Sequence, residues 1–252
     1  MTSATTIAQV SNQTLTLTVE DGNIYVLAMH NKENRFDIPF MTAIDAVLDY
    51  IIATHPDKEP GALVTYSMHD KIYSNGLRLD IAMKVGYQYF YQYERLLNKL
   101  LTFKLPTVAA ITGHAFAGGL MFALAHDYRV MRSDRGFLCM NEVDMPGPLS
   151  PGMTSIIATK VPNAVTLRNI LLQAHRFSAD DALKNQMVDL VAPSSRETVA
   201  VAKDLARKWS SKALAGDVYT YLKTQMYITT STHLQSEKLG FIEGFGSPKS
   251  KL

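Results

Sequence analysis

Residues 108–125 form a long, mostly apolar stretch, and this stretch limits the folds that the chain can adopt. A membrane-spanning helix needs about 20 predominantly apolar residues, and the stretch is at the lower limit of that length. It also contains His114 and three glycines, which interrupt an apolar helix. We therefore expect a buried strand over residues 107–112, then a glycine-containing turn, and then a buried helix over residues 118–126, without a membrane span.

The composition is typical of a folded intracellular protein. Of the 252 residues, 47% are apolar and 19% are charged, which is enough apolar material for one large domain or two small ones. The formal net charge of +2 lacks the basic excess of proteins that bind many phosphates, so nucleic acid is not an expected partner. Cys139 is the only cysteine, which excludes an intrachain disulfide and favours a reducing compartment.

Strand and helix patterns alternate along the chain and predict an α/β fold with its sites at the strand ends. The first dozen residues lack such a pattern and are expected to be a frayed start. The predicted elements are a hairpin over residues 14–29, a helix from Asp37 to His55, a strand over 62–66, a loop over 67–80, a helix onward to 101, the strand and helix of 107–126, a strand over 128–132, and helices from Arg196 onward. We expect a core over residues 1–195 and a helical segment over 196–252.

Two glycine-bearing turns each follow a predicted strand. One is residues 74–77 (SNGL), and the other is residues 113–119 (GHAFAGG), which end a strand and open a helix. Either turn alone is compatible with simple close packing, and the second lacks the spacing of G-x-G-x-x-G or of a P-loop. Together, two such turns can present two backbone N–H groups to one oxygen, which is the construction of an oxyanion hole.

A glutamate and two histidines are the remaining candidates for chemistry. Glu142 lies between apolar residues 138–140 and a proline-rich loop over residues 146–151, where desolvation would make it a usable general base near neutral pH. A solvated loop carboxylate is the alternative interpretation. His114 and His126 are far apart in sequence, and no cysteine or carboxylate completes a ligand set, so no metal site is predicted.

These three pieces together resemble the crotonase family, the enoyl-CoA hydratase/isomerase superfamily. Its aromatic-S-x-G-x-D-L signature appears as residues 73–79 (YSNGLRL), and its G-x-A-x-x-G-G run with a later aspartate appears as residues 113–119 with Asp127. The resemblance covers most of residues 14–195. It implies a crotonase-like spiral of ββα turns with a C-terminal helical segment, and a homo-oligomer that is a trimer or a dimer of trimers.

The resemblance also implies roles for individual residues. The backbone N–H groups of Leu77 and Gly118 would form the oxyanion hole for a thioester oxygen, and Glu142 would be the catalytic base. The candidate substrate-binding residues are Ser74, Asn75, Gly76, Arg78, Gly119, Met121 and Arg35. Arg78 replaces the usual aspartate and is either a solvated loop charge or a cation near the CoA phosphates, for which Arg35 is also a candidate. Ala117 replaces a glycine that the family often has.

The residue at position 121 separates the reactions of this family. Its hydratases carry two glutamates, whereas this chain has Met121 at the first position and Glu142 at the second. One base suffices for a 1,3 proton shift, so the pattern resembles the enoyl-CoA delta isomerases, and the plant peroxisomal members in particular. These isomerases convert a 3-enoyl-CoA to the 2-trans-enoyl-CoA in unsaturated fatty acid β-oxidation. The acyl-CoA is the substrate, and no separate cofactor is expected.

Two other functions stay open, and the C-terminus predicts a location. The alternatives are an enoyl-CoA hydratase that uses Glu142 alone and a non-catalytic CoA-ester or RNA-binding module of the same fold. Residues 250–252 (SKL) match the peroxisomal import signal, so we expect a peroxisomal protein that binds the import receptor through Ser250, Lys251 and Leu252.

Overall fold

Two sheets are built in alternation as the chain advances. The computed structural model describes residues 5–10, 14–145, 147 and 149–237, and all statements on structure concern these residues. The strands are β1 (Thr5–Val10), β2 (Leu15–Glu20), β3 (Ile24–Met29), β4 (Ala62–Ser67), β5 (Ile72–Ser74), β6 (Thr107–Ile111), β7 (His114–Phe116), β8 (Tyr128–Arg132), β9 (Leu138–Cys139) and β10 (Leu190–Ala192). The predicted signal at residues 250–252 lies outside the described residues.

The helices follow pairs of strands and then dominate the end of the chain. They are α1 (Ile38–Thr54), α2 (Leu79–Val85), α3 (Tyr87–Leu101), α4 (Gly118–Ala125), α5 (Pro151–Lys160), α6 (Ala164–Gln173), α7 (Ala179–Lys184), α8 (Ser195–Trp209), α9 (Asp217–Met226) and α10 (Ile228–Leu234), with a 3₁₀ helix over Ser210–Ala215.

The strand order gives a spiral. A seven-stranded sheet has the order β1-β2-β3-β4-β6-β8-β10, and a three-stranded sheet has the order β5-β7-β9. Strands β3, β4, β6, β8 and β10 run parallel, as do all three strands of the small sheet. Each turn therefore adds one strand to each sheet before a helix, as in β4-β5-α2, β6-β7-α4 and β8-β9-α5. This confirms the predicted α/β spiral of ββα turns.

Side-chain alternation along the strands produces two cores. In β3, Tyr25 and Leu27 face the larger core beneath helices α1, α3 and α4, whereas Ile24 and Val26 face the opposite side of the sheet. Helix α8 covers that opposite side with the small residues Ala202 and Ala206. Both faces of the parallel sheet are thus buried, which is why its strands read as continuous apolar runs.

Most predicted elements are present. The hairpin turns at residues 21–23, and α1 begins at an Asp37 cap whose side chain accepts a hydrogen bond from the Phe40 N–H at 2.8 Å. Residues 108–125 form β6, β7 and α4, as a strand and a helix were expected there. None of the helices in the described part of the chain combines the length and apolar content that crossing a bilayer requires.

Three predictions about local structure were wrong. Residues 5–10 are not a frayed start but strand β1, which pairs antiparallel with β2. The helix expected to run to residue 101 is two helices, because Gly86 adopts a φ of 75° between α2 and α3. The three strands of the small sheet were missed because they are only two or three residues long, too short for a periodic pattern.

A buried ion pair anchors helix α9 to the sheet. The Lys223 ammonium donates to the Asp127 carboxylate at 2.6 Å and to the carbonyls of Phe103 and Leu105 at 3.0 and 3.1 Å. The side chains of Lys223 and Asp127 are 6% and 12% exposed. The predicted division into a core over residues 1–195 and a helical segment over 196–252 stays a prediction. Helix α8 packs on the sheet, and Lys223 joins α9 to it.

Removing the anchoring ammonium should destabilise the fold. We expect Lys223→Ala to lower the free energy of unfolding by about 3 to 5 kcal/mol, because it leaves the buried Asp127 carboxylate without its counter-charge. Urea denaturation followed by circular dichroism measures this change. Lys212→Ala, at an exposed lysine of the neighbouring 3₁₀ helix, is the control and should change the value by less than about 0.5 kcal/mol. Equal stability of the two variants would contradict the anchoring role.

Candidate active site

The first half of the candidate oxyanion hole is the loop that follows β5. Gly76 adopts a left-handed φ of 74°, and its carbonyl accepts a hydrogen bond from the Phe36 N–H at 2.8 Å. Because the peptide is trans, the Leu77 N–H points away from that carbonyl. Leu77 lines a cavity of about 480 Å³, and its N–H forms no hydrogen bond within the described part of the chain. It is therefore a free donor at the cavity wall.

Arg35 and Glu33 hold this loop in place. The Arg35 guanidinium donates to the carbonyls of Asn75 and Leu77, both at 3.3 Å, and to the Glu33 carboxylate at 2.8 Å. The Asn75 amide donates to the other oxygen of Glu33 at 3.0 Å. Arg35 and Asn75 both line the cavity, but Arg35 is already engaged with loop carbonyls. A contact between Arg35 and a CoA phosphate stays a prediction.

Ser74 and Gly119 lie behind the cavity wall. The Ser74 hydroxyl donates to the Asn34 carbonyl at 2.7 Å and accepts from the Gly76 N–H at 3.1 Å, and the side chain is fully buried. A Cβ atom on Gly119 would lie 2.1 Å from the Ser74 carbonyl oxygen, so glycine is required there. The structure gives both residues a packing role in bringing the β5 loop against α4. Their predicted contact with substrate is untested.

The second half of the hole is the start of α4. Ala117 adopts φ 53° and ψ −123°, an unusual conformation for a residue with a Cβ atom. Its N–H donates to the Cys139 carbonyl at 2.8 Å, and its own carbonyl accepts from the N–H groups of Leu120 and Met121. The Gly118 N–H opens the helix and so has no intrahelical acceptor. It forms no other hydrogen bond among the described residues, and Gly118 lines the cavity.

The two halves are in direct contact. A Cβ atom on Gly76 would lie 2.7 Å from the Gly118 nitrogen, and a Cβ atom on Gly118 would lie 3.2 Å from the Gly76 Cα. Glycine at both positions therefore allows the Leu77 and Gly118 donors to approach one oxygen. The pairing of the two glycine turns that the sequence suggested is present in the structure.

Glu142 reaches the same cavity from the third turn of the spiral. Strand β9 pairs with β7, with Leu138 opposite Ala115 and Cys139 opposite Phe116, which brings the loop after β9 beside the start of α4. The Glu142 Oε2 atom is buried and has no hydrogen-bond partner. Desolvation by the surrounding protein raises the pKa of Glu142 to about 7. This carboxyl is poised to gain or lose a proton near neutral pH, as the predicted general base must.

One side of the cavity is apolar. Met121 lies on α4 and lines the same cavity as Glu142. The apolar side chains that line the cavity are those of Ile72, Leu77, Leu79, Phe90, Phe116, Ala117, Met121, Met145, Leu149 and Met153. Apolar walls of this kind bind hydrocarbon chains and hold water away from a buried carboxyl.

The cavity also has a cationic side. Lys71 and Arg176 supply its positive charges, and the neutral side chain of His114 lies on the same side. His114 stacks on Phe137, and Arg176 packs over Phe116. Desolvation, together with the charges of Lys71 and Arg176, lowers the pKa of His114 and keeps the ring neutral. Its Nδ1 accepts from the Phe137 N–H at 3.2 Å, which places the ring proton on Nε2.

Arg78 does not belong to this cationic side. Its guanidinium forms a two-point ion pair with the exposed Asp80, and the side chain is not among those that line the cavity. The structure therefore supports the solvated loop charge over the cation near the CoA phosphates.

Several site residues had no signal in the sequence. Glu33, Lys71 and Arg176 come to the cavity from three separate segments, and charged residues in loops are ordinarily solvated. His114, which was considered from the sequence only as a metal ligand, stacks on Phe137 and also lines the cavity. His126 is a true packing histidine, because it is fully buried and desolvation lowers its pKa to about 3.

Comparisons with known proteins agree with this architecture. Residues 20–246 match the profile of the family described as Enoyl-CoA hydratase/isomerase. The chain is 32% identical to enoyl-CoA delta isomerase 3 of Arabidopsis thaliana over 82% of this chain and 89% of the relative. It is 29% identical to the peroxisomal enoyl-CoA delta isomerase 2 of the same plant over 82% and 89% of the two chains.

A solved structure shows the same fold. Human mitochondrial delta3-delta2-enoyl-CoA isomerase superposes with a TM-score of 0.81 at 22% identity, over 95% of this chain and 93% of the human one. The spiral of ββα turns, the paired glycine loops and the match over residues 20–246 together show that this chain belongs to the enoyl-CoA hydratase/isomerase family.

Proposed function

We propose that this protein is a delta3-delta2-enoyl-CoA isomerase that moves a double bond by a proton shift through one glutamate. The observation that carries the proposal is the Glu142 carboxyl, which has a buried oxygen without a partner and opens onto the cavity that holds two free backbone donors. The names of the Arabidopsis relatives support the same activity.

The reaction begins with proton abstraction next to the thioester. Glu142 takes a proton from C2 of a 3-enoyl-CoA, the C–H electron pair forms a double bond between C1 and C2, and the carbonyl pair moves onto the thioester oxygen. The C3–C4 double bond stays in place and is conjugated with the resulting dienolate. The Leu77 and Gly118 N–H groups donate to the thioester oxygen. Each such donor typically contributes about 2.7 to 4 kcal/mol to the stability of the transition state.

The same carboxyl then completes the isomerisation. Protonated Glu142 delivers its proton to C4, the double bond settles between C2 and C3, and the carboxylate is regenerated. The raised pKa matches this double role, because a carboxyl with a pKa of about 7 is both a competent base and a competent acid at neutral pH. Met121 supplies no proton and occupies the space where a second acid would hold water.

Hydration is the competing reaction, and it needs a second group to handle water. Among the described residues, Glu33 is the other carboxylate that lines the cavity. Hydrogen bonds from Arg35 and Asn75 hold the pKa of Glu33 below its usual range, so Glu33 stays ionised at neutral pH. Because its two oxygens accept hydrogen bonds from Arg35 and Asn75, Glu33 is not a free second base for water. This favours isomerisation over hydration.

The cellular setting is part of the proposal. Two of the Arabidopsis relatives are named peroxisomal, and residues 250–252 carry the SKL motif, so we propose that the protein acts in β-oxidation in peroxisomes. We also propose that the protein forms a homo-oligomer. Its substrate would be a fatty enoyl-CoA, and the reaction would need no separate cofactor.

Neutralising the base should abolish the reaction. We expect Glu142→Gln to lower kcat for a 3-enoyl-CoA by at least about 10³-fold, because an amide cannot take the C2 proton, while CoA-ester affinity changes little. The assay follows conjugation of the double bond by absorbance, and calorimetry gives the affinity. Asp144→Asn, an exposed carboxylate two residues away, is the control and should keep full activity.

The choice of substrate separates isomerase from the alternatives. The wild-type protein should convert a 3-enoyl-CoA and should leave a 2-enoyl-CoA unhydrated. Hydration of the 2-enoyl-CoA without conjugation of the 3-enoyl-CoA would replace the proposal with a hydratase. Binding of CoA esters without turnover of either substrate would replace it with a non-catalytic module.

The activity should depend on the ionisation of Glu142. Its pKa is raised to about 7, so the base form is lost as the pH falls below that value. We expect kcat/KM to be constant above about pH 7.5 and to fall about tenfold per pH unit well below pH 7. A pH profile of kcat/KM between pH 5 and 9 checks this, and a midpoint near pH 4.5 would show that Glu142 is a solvated carboxylate.

Adding one methyl group to the hole should block it. We expect Gly76→Ala to lower kcat by about 10²-fold or more, because its Cβ atom would press on the Gly118 nitrogen. Gly22→Ala is the matched control, since Gly22 also has a positive φ of 78° but no atom lies within 4 Å of a Cβ there. Both variants should lose about 1 kcal/mol of stability from backbone strain, and Gly76→Ala should lose more because its Cβ atom also meets backbone atoms. Equal activity of the two variants would remove the Gly76 loop from the site.

A further inference from the structure

Helix α3 carries two tyrosines whose hydroxyl groups reach the backbone of the candidate oxyanion hole. Tyr89 and Tyr93 are four residues apart, so they share one face of the helix. Both side chains are fully buried, and neither lines the cavity. They therefore do not touch a ligand in the cavity. Any effect of these tyrosines on the site is transmitted by the groups that they contact.

Tyr89 holds the half of the hole that contains Leu77. Its hydroxyl accepts a hydrogen bond from the Arg78 N–H at 2.8 Å and donates to the Phe36 carbonyl. The Phe36 N–H in turn donates to the Gly76 carbonyl at 2.8 Å. The peptide that carries the Leu77 N–H is thus held by Phe36 at its own carbonyl, that of Gly76. The next peptide is held by the Tyr89 hydroxyl at the Arg78 N–H.

Tyr93 holds the half that contains Gly118. Its hydroxyl donates to the Gly118 carbonyl, and its ring packs on Phe36 with the centroids 5.1 Å apart. A Cβ atom on Gly118 would lie 3.2 Å from the Tyr93 hydroxyl oxygen, so the phenol fills the space next to this residue. One rigid helix consequently contacts the first donor loop through Tyr89 and the second through Tyr93.

We propose that Tyr89 and Tyr93 are positioning residues that hold the two oxyanion-hole donors at a fixed separation and direction. The proposal rests on the proposed function, because it assigns these tyrosines to the hole that stabilises the dienolate. The donors come from different turns of the spiral and have no hydrogen bond to each other, so their relative position depends on what both loops contact. Helix α3 is such a common support.

A small displacement of either donor would matter. An oxyanion hole works when its donors lie about 2.7 to 3.1 Å from the position of the charged oxygen, and loss of one donor lowers kcat by about 10² to 10³-fold. Removing one tyrosine hydroxyl leaves the donor in place but releases its loop. The expected loss is therefore a fraction of that effect, and it should fall on kcat rather than on KM.

The test compares three tyrosines of the same helix. We expect Tyr89→Phe and Tyr93→Phe each to lower kcat for a 3-enoyl-CoA by about 10-fold or more, with KM within about 2-fold of the wild-type value. Tyr91→Phe is the control and should keep wild-type kcat, since the one hydrogen bond of the Tyr91 hydroxyl among the described residues is with Arg95, on the exposed side of the helix. Urea denaturation of each variant measures any general loss of stability.

A spectroscopic measurement reports on the hole itself. A 2-enoyl-CoA with ¹³C at the thioester carbonyl is bound to each protein, and infrared difference spectra give the carbonyl stretching frequency. Two donors should lower that frequency in the wild-type protein and in Tyr91→Phe. The shift should be smaller and the band broader in Tyr89→Phe and Tyr93→Phe, because one donor is no longer held in line with the oxygen.

The outcomes separate this proposal from the proposed function. A wild-type protein that shows the carbonyl shift without isomerising a 3-enoyl-CoA would refute the isomerase and still support the positioning role if the two tyrosine variants lose the shift. Wild-type kcat and wild-type shift in both variants would overturn the positioning role, even if their stability falls. Absence of a shift in the wild-type protein would overturn it as well.

Discussion

The site depends on the close contact between the Gly76 loop and the start of α4. A Cβ atom on Gly76 would lie 2.7 Å from the Gly118 nitrogen, and a Cβ atom on Gly118 would be in tight contact at 3.2 Å from the Gly76 Cα. This contact brings together two cavity-lining residues from different turns of the spiral, Leu77 and Gly118, whose N–H groups we propose to donate to one oxygen. Other elements support this contact. The small β5-β7-β9 sheet sets the register of the two loops. Arg35 donates to carbonyls of the Gly76 loop, and the Tyr93 hydroxyl donates to the Gly118 carbonyl at the start of α4.

The electrostatics of the cavity follow from the same geometry. The third strand of the small sheet delivers Glu142 to the edge of the hole, into surroundings where Met121 and the apolar wall remove water. Burial without a hydrogen-bond partner disfavours the ionised carboxylate, and the neighbouring free N–H groups favour negative charge on a bound oxygen. In the proposed mechanism, moving a proton from substrate to Glu142 would therefore neutralise a costly charge in one place and create a stabilised charge in another.

Much of this arrangement could be predicted from the sequence. The alternation of strands and helices, the cap at Asp37, the two glycine turns and the carboxylate at Glu142 are local patterns, and each was read from adjacent residues. The second sheet could not be predicted, because strands such as Leu138–Cys139 are too short to show a period. The split of the tyrosine-rich helix at Gly86 depends on a positive φ that many glycines do not adopt.

Residues that act across the spiral were also beyond local patterns. Ser74 and Gly119 were expected at the substrate but lie behind the cavity wall, because only the folded chain shows that the Ser74 carbonyl occupies the space next to Gly119. Arg78 was open between two interpretations until its ion pair with Asp80 was seen. Tyr89 and Tyr93 lie in a segment predicted as helix, and the ends of their side chains contact the backbone of two distant loops.

The central claim is that one sheltered carboxylate takes the proton from C2 and returns it to C4. The most direct measurement is the fate of a label in a 3-enoyl-CoA that carries two deuterium atoms at C2, turned over once in ordinary water. Mass spectrometry or NMR of the 2-enoyl-CoA product should find one deuterium still at C2 and a substantial fraction of the other at C4. A product with deuterium at C2 but none at C4 would contradict the claim, because the proton added at C4 would then come from water.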